Sequence, residues 1–213
     1  MHEVIGENNL ISVPENSEFN IRIFGNNNSV IFDNTTNLTG QCIIYGNNVN
    51  VRIGKNVRGY IVADIGGNNG RNADNTKLII EDNVHLGDVT FQLMEKNSEI
   101  EIKKRCIFAR GIKIFCSDTH SIVDKNGNLL NPGKFVKIDE HVWCGADVKI
   151  GKNTLIPRDS VIGWGSVVTK QFLQPNVIIA GNPARVVKTG INWNGNCPDM
   201  YQECIQHNNG EKE

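Results

Sequence analysis

The sequence predicts an all-β solenoid, a parallel β-helix in which short strands meet at corners, and three observations carry that prediction. Aliphatic or cysteine residues recur at every sixth position from Ile138, at Cys144, Ile150, Ile156, Ile162 and Val168. Small or β-branched residues stand at the fifth position of these hexads: Val142, Val148, Thr154, Ser160 and Ser166. Asparagine and glycine cluster between apolar residues, as in GNNNS, GNNVN and GGNNG, and both tolerate the left-handed backbone of tight corners. A helix needs apolar spacing near ~3.6 and a half-buried strand alternates with a period of ~2. A period of six fits neither. Three hexads close one triangular turn of about 18 residues, with first-position side chains filling the axis.

Taken in order, residues 1–19 read as a lead-in and residues 20–172 as the β-helix. IFGNNNSVIF (23–32) and IYGNNVNVRI (44–53) are alike, and LMEKNSEIEI (93–102) repeats their outline, so the early coils vary in length. Ile80 with Val84, Leu86 with Thr90, Ile102 with Cys106, and Phe108 with Ile112 fall into hexad phase. The second hexad position, with Asp139, Gly145, Gly151, Pro157, Gly163 and Thr169, holds mostly turn formers. Between Ile114 and Ile138 the lattice breaks. SDTHSIVDKNGNLLNPGKF has the Asp, Asn, Gly and Pro of a surface loop, with KNGN as its turn. This excursion, about 117–135, stands on a rigid scaffold, where function tends to be carried. Residues 173–213 form a C-terminal segment in which a short helix is expected around 198–206, followed by frayed polar residues.

With 22 basic and 23 acidic residues the net charge is −1, so no nucleic-acid-binding surface is expected. Aromatics make up only 7% of the 213 residues, which suits a thin, tightly wound architecture. No run approaches the ~18 apolar residues of a membrane span, and the opening MHEVIGENNLISVPENSEF lacks the basic and apolar regions of a secretory leader. A cytoplasmic location is expected. The six cysteines form no CxxC pair and read as reduced thiols. Cys144, at a first hexad position, is expected in the core, which disfavours an acyl-cysteine intermediate.

The combination of DTHSI, HVWCGADVKIGKNTLIPRDSVIGWGSVVTK and PNVIIAGNPARVVK resembles the hexapeptide-repeat acyltransferases, left-handed β-helix enzymes that use acetyl-CoA. Within that group it is similar to bacterial O-acetyltransferases of sugars and surface polysaccharides, the polysialic acid O-acetyltransferases among them. The resemblance covers about residues 102–190. It implies that His120 is the catalytic imidazole, removing the proton of an acceptor hydroxyl as that oxygen attacks the acetyl thioester. Asp118 is then the nearest carboxylate in sequence to fix its tautomer. Trp143, in HVWCG, matches a tryptophan of several relatives that would pack against acceptor or pantetheine, or donate its N–H.

The resemblance also implies a coenzyme A groove along the C-terminal coils, with Ala146, Trp164, Thr169 and Lys170 in reach of pantetheine and adenine. Gly145 is the expected backbone donor to the thioester oxygen and a place of close approach. Arg185 and Lys188 match basic positions that meet the cofactor's phosphates. The sugar-binding asparagine of galactoside-type relatives has no counterpart; that region reads VTFQ, Val89 to Gln92. Relatives are commonly trimers with sites between subunits, so a homotrimer is implied, acting on acetyl-CoA and a carbohydrate acceptor without a metal. Three rival readings stay open: N-acetylation of an amino sugar, a zinc enzyme of the carbonic anhydrase type with His85, His120 and His141 as ligands, and a silent scaffold that binds a glycan.

Overall fold

The computed structural model describes residues 2–202. In chain order its strands are β1 (His2–Ile5), β2 (Leu10–Ser12), β3 (Phe19–Phe24), β4 (Ser29–Phe32), β5 (Asn37–Tyr45), β6 (Asn50–Ile53), β7 (Arg58–Ile65), β8 (Lys77–Ile80), β9 (His85–Leu93) and β10 (Glu99–Ile102). Short strands follow: β11 (Ile107–Phe108), β12 (Ile112–Phe115), β13 (Phe135–Ile138), β14 (Trp143–Cys144), β15 (Lys149–Ile150), β16 (Thr154–Ile156), β17 (Val161–Ile162) and β18 (Val167–Val168). A hairpin, β19 (Val177–Gly181) and β20 (Ala184–Thr189), closes the array. Residues 198–202 are helical. Residues 203–206 of the expected helix, and the polar stretch after it, lie outside the described residues.

These strands wrap into a three-sided prism. A seven-stranded parallel sheet, β16-β13-β10-β8-β6-β4-β2, forms one side. A 13-stranded sheet covers the other two, because β5, β7 and β9 are long enough to bend round a corner. In the later coils that sheet resolves into a first face (β11, β14, β17) and a second face (β12, β15, β18). All pairings between described strands are parallel except β19 with β20. β1 and β2 already pair with β3 and β4, so the coils begin inside the stretch expected as a lead-in.

The lattice explains the packing. All six first-position residues from Ile138 to Val168 are buried, as are Val142, Val148, Thr154, Ser160 and Ser166 at the fifth position. Parallel register places Ile138 beside Ile156 and Cys144 beside Ile162, so like side chains stack along the axis. The sharp backbone turn falls at the fourth position, not the second. His141, Asp147, Asn153, Asp159 and Gly165 all have φ between 56° and 68°. Lattice phase also slips in β9, where Val89 takes the inward place expected for Thr90. The cause is a register shift opposite Gly59–Ile61, which turns the chain with a bulge.

The asparagine clusters are corners with a second use. Asn27, Asn48, Asn75 and Asn97 adopt φ near 57–59°. Their side-chain amides hydrogen-bond from coil to coil, Asn48 to Asn75 at 3.2 Å and Asn75 to Asn97 at 3.1 Å. The offset between stacked corner residues is 21, 27 and 22 in the early coils and 18 later. Variable coil length is therefore absorbed in loops while the corner ladder continues.

Candidate active site

The loop between β12 and β13 leaves the prism at the corner that follows the second face. Its neck is drawn shut by Glu95, whose carboxylate accepts the Ser117 hydroxyl at 2.8 Å and the Gly133 N–H at 2.9 Å. A Cβ at Gly133 would lie 2.2 Å from the Cys116 carbonyl, so only glycine fits this return. Beyond the neck, Val123 and Leu129 bridge in antiparallel fashion round the KNGN turn, capped by Asp124.

His120 sits just past this neck. The residue before it, Thr119, has φ 69°, and the His120 N–H reaches back to the Asp118 carbonyl at 2.7 Å. Such a three-residue turn with a β-branched residue at positive φ is strained, and strain of this kind collects at functional sites. The exposed imidazole projects into a cleft of about 410 Å³ lined also by Arg71, Glu95, Ser117, Thr119 and Asn131. Its ring nitrogens have no hydrogen-bond partner among the described residues.

Asp118 does not hold the His120 ring in this chain. Its carboxylate pairs with Lys152 and accepts Asn131 Nδ2 at 2.8 Å. Asn131 also donates to the His120 carbonyl at 2.9 Å, and Lys152 to the Asn131 carbonyl at 2.6 Å. The ammonium of Lys152, and then the Asn131 amide, keep the Asp118 carboxyl below the usual carboxylate range. Asp118 thus secures the loop through Lys152 on the next coil, because the tight turn aims its carboxylate there.

A second groove of about 430 Å³ runs along the second face and shares Ser117 and Thr119 with the His120 cleft. Gln92, Phe115, Lys113, Lys149 and Thr169 line it. Lys113 and Lys149 are paired in register on adjacent coils, both are exposed, and neither has a carboxylate within salt-bridge distance among the described residues. A wider concavity of about 840 Å³ on the N-terminal coils holds no imidazole or cationic side chain, so size is no guide to the chemistry.

The remaining expected residues flank this face. Thr169 stands one coil beyond Gly151, on the corner ridge that carries Asp118. Gly145, Ala146 and Trp164 meet at the opposite corner, where Gly165 N–H binds the Ala146 carbonyl and Trp164 Nε1 donates to Asp147 at 3.1 Å. Trp164 is 77% exposed. The Gly145 N–H is already given to the Ile162 carbonyl at 2.9 Å, so it is not a free donor for a thioester oxygen. Lys170 lies over the Phe172 ring, and Arg185 and Lys188 project from the exposed β20.

Trp143 is on the first face, beside Ile107 and Val161, and so is separated from His120 by the width of the second face. Cys144 and Cys116 are fully buried, and burial raises both thiols, Cys116 to about 12. Neither supplies a thiolate near neutrality. Among the described residues no three His, Cys, Asp or Glu of one chain are grouped to hold a metal. His85 instead sits beside Arg58, and burial followed by that cation lowers its pKa. Sequence reasoning missed Glu95, Lys113, Lys149, Lys152 and Trp193, and placed Gln92 only within the VTFQ region. The equal hexad phase of Lys113 and Lys149 was the one available signal.

A rigid parallel β-helix that fixes an imidazole beside a groove is the layout of a coil-built group transferase. The chain is 35% identical over 199 residues to the polysialic acid O-acetyltransferase of Neisseria meningitidis, covering 91% of this chain and 89% of that one. Its structure matches the polySia-specific acetyltransferase NeuO with a TM-score of 0.83 at 28% identity, over 100% of this chain and 98% of that one. It matches the polysialic acid O-acetyltransferase OatWY with a TM-score of 0.81 at 30% identity, over 98% and 99% of the two chains. No family model matches. The chain belongs to the hexapeptide-repeat O-acetyltransferase family, and its β-helix is left-handed. Among the described residues no helix is long and apolar enough to cross a membrane.

Proposed function

We propose that the protein transfers acetyl from acetyl-CoA to a hydroxyl of a sialic-acid-containing bacterial surface polysaccharide, such as a capsule, in the cytoplasm. The observation that carries this reading is His120, unpartnered at its ring among the described residues and fixed by a pinned, strained turn at the mouth of a groove. The relatives named for polysialic acid supply the acceptor class. Two stacked ammonium groups, Lys113 and Lys149, give the groove an excess of positive charge suited to an acidic glycan.

In the reaction the neutral imidazole of His120 takes the hydroxyl proton while the oxygen attacks the thioester carbonyl. The tetrahedral intermediate then expels the thiolate, which recovers that proton to leave as coenzyme A, and the acceptor keeps the acetyl ester. An imidazole can accept that proton in water, where an alcohol is far too weakly acidic to ionise alone. Acetyl-CoA would lie along the corners of Ala146, Trp164, Thr169 and Lys170, with Arg185 and Lys188 at its phosphates. Gly145 serves by its missing side chain: a Cβ there would lie 3.0 Å from the Trp164 backbone. Since His120 and Trp143 occupy opposite flanks of one chain, a homotrimer with sites between subunits would bring them together.

The test incubates the purified protein and acetyl-CoA with sialylated, galactosyl and amino-sugar acceptors, following free thiol and locating acetyl by mass spectrometry and NMR. An ester on the sialylated acceptor is expected. Acetyl on an amine, or glycan binding without thiol release, would overturn the reading in favour of an N-acetyltransferase or a silent scaffold.

A further inference from the structure

Trp193 lies after β20, on no coil, yet it is fastened to the first face at several points. Its Nε1 donates to the His141 carbonyl at 2.8 Å, and its ring stacks on the His141 imidazole with centroids 4.3 Å apart and planes at 14°. His141 is itself held by its Nδ1 contact of 2.9 Å with Asp159 on the next coil. Two residues earlier, Ile191 exchanges hydrogen bonds with Asn176, its N–H to that carbonyl and its own carbonyl to Asn176 Nδ2, both at 3.0 Å. The segment is therefore fixed on both sides of a single residue.

What it is fixed against is Trp143. The two indoles lie 6.2 Å apart at 43°, with Ile107 and Val161 in register on either side of Trp143. Trp143 remains 43% exposed, and its N–H has no partner among the described residues. Tucking Trp143 away would need only a closer lid; Trp193 instead stands beside it and widens the aromatic surface. Exposed aromatic surface with an unused donor on it marks a ligand site. A pyranose ring has the matching chemistry, with one face of C–H bonds to lie on the indoles and hydroxyl or carbonyl oxygens at its edge to accept an N–H.

We propose that Trp193 and Trp143 form an aromatic platform seating a sugar ring of the acceptor, with Trp193 as the positioning residue and the His141–Asp159 pair as its mount. The assignment rests on the O-acetyl transfer reading above, which makes a carbohydrate the acceptor. It adds an acceptor-binding role for the C-terminal segment, far along the chain from the loop that carries His120.

The experiment compares wild type with Trp193→Ala and Trp193→Phe in two ways. Calorimetric titration with sialic acid, galactosyl and amino-sugar oligosaccharides, without acetyl-CoA, reads binding alone. Steady-state kinetics then separates kcat from the KM of each substrate. Trp193→Ala should raise the acceptor Kd and KM roughly tenfold while the acetyl-CoA KM stays within about twofold; Trp193→Phe, which keeps a ring, should recover most of the affinity. An unchanged acceptor Kd in folded Trp193→Ala, a rise confined to the acetyl-CoA KM, or a wild type that binds none of the oligosaccharides overturns the platform. A melting curve detects a merely structural role, which lowers the transition and leaves the acceptor Kd unmoved. Failure of the transfer reading shows separately, as absent thiol release by wild type, and the calorimetry still decides the platform.

Discussion

Thr119 is the residue on which the geometry of His120 turns. Its φ of 69° places a β-branched side chain where glycine is favoured, at a cost on the order of 1–3 kcal/mol. Thr119→Gly should hold or raise the melting temperature while kcat falls several-fold, because the imidazole gains freedom; unchanged kcat would separate the strain from the chemistry. The Asp118–Lys152 pair contributes in a pH-dependent way. Asp118's folded pKa is depressed, so its contribution is present above the unfolded value of about 3.9 and is lost as pH falls through the folded value. Because the carboxylate side is 45% exposed, the effect stays below about 1 kcal/mol. Limited proteolysis within 121–130 should therefore accelerate below about pH 4 in wild type. In Lys152→Met it should already be fast at pH 7, and a cleavage rate independent of both would contradict the anchoring role.

Among the elements, β16 carries a testable flaw. The Thr154 hydroxyl is buried without a hydrogen-bond partner among the described residues, whereas Ser160 and Ser166 at the same hexad position donate to the Arg158 and Gly163 carbonyls. Thr154→Val keeps the shape and removes the orphan, so unfolding should become harder by about 1 kcal/mol; a destabilised variant would mean that the hydroxyl has a partner in solution. The strict hexads of 138–168 were legible because one side chain per hexad must fill a narrow axis. β9 was not, since a bulge opposite Gly59–Ile61 shifts the inward phase by one residue, and Gly87 within it is one glycine among many that mark corners elsewhere in the chain. The place of the corner within the hexad was also hidden, because His141 and the two aspartates at 147 and 159, rather than glycine, take the positive φ there. In the site, the loop and His120 stood out as a break in period. Glu95 and Lys152, which pin that loop, come from other coils, and nothing local in sequence marks a contact made across 22 or 34 residues.

At the scale of the molecule, the prism separates the proposed base from the first-face tryptophan. His120 leaves from one edge of the second face and Trp143 precedes the other, with Lys113 and Lys149 between them. Packing such prisms side by side would set the His120 loop of one chain against the cofactor corner of the next. Mixing His120→Ala chains with Arg185→Ala chains in equal amounts should then restore about a quarter of wild-type activity, the share of sites that draw an intact residue from each neighbour. No recovery in verified mixed trimers would place each site within one chain. The most direct measurement compares thiol release from acetyl-CoA by wild type and His120→Ala with a sialylated acceptor, alongside acetyl-CoA binding by calorimetry. Loss of kcat by a factor on the order of 10² or more with donor affinity retained is predicted; undiminished turnover in the variant would contradict His120 as the base.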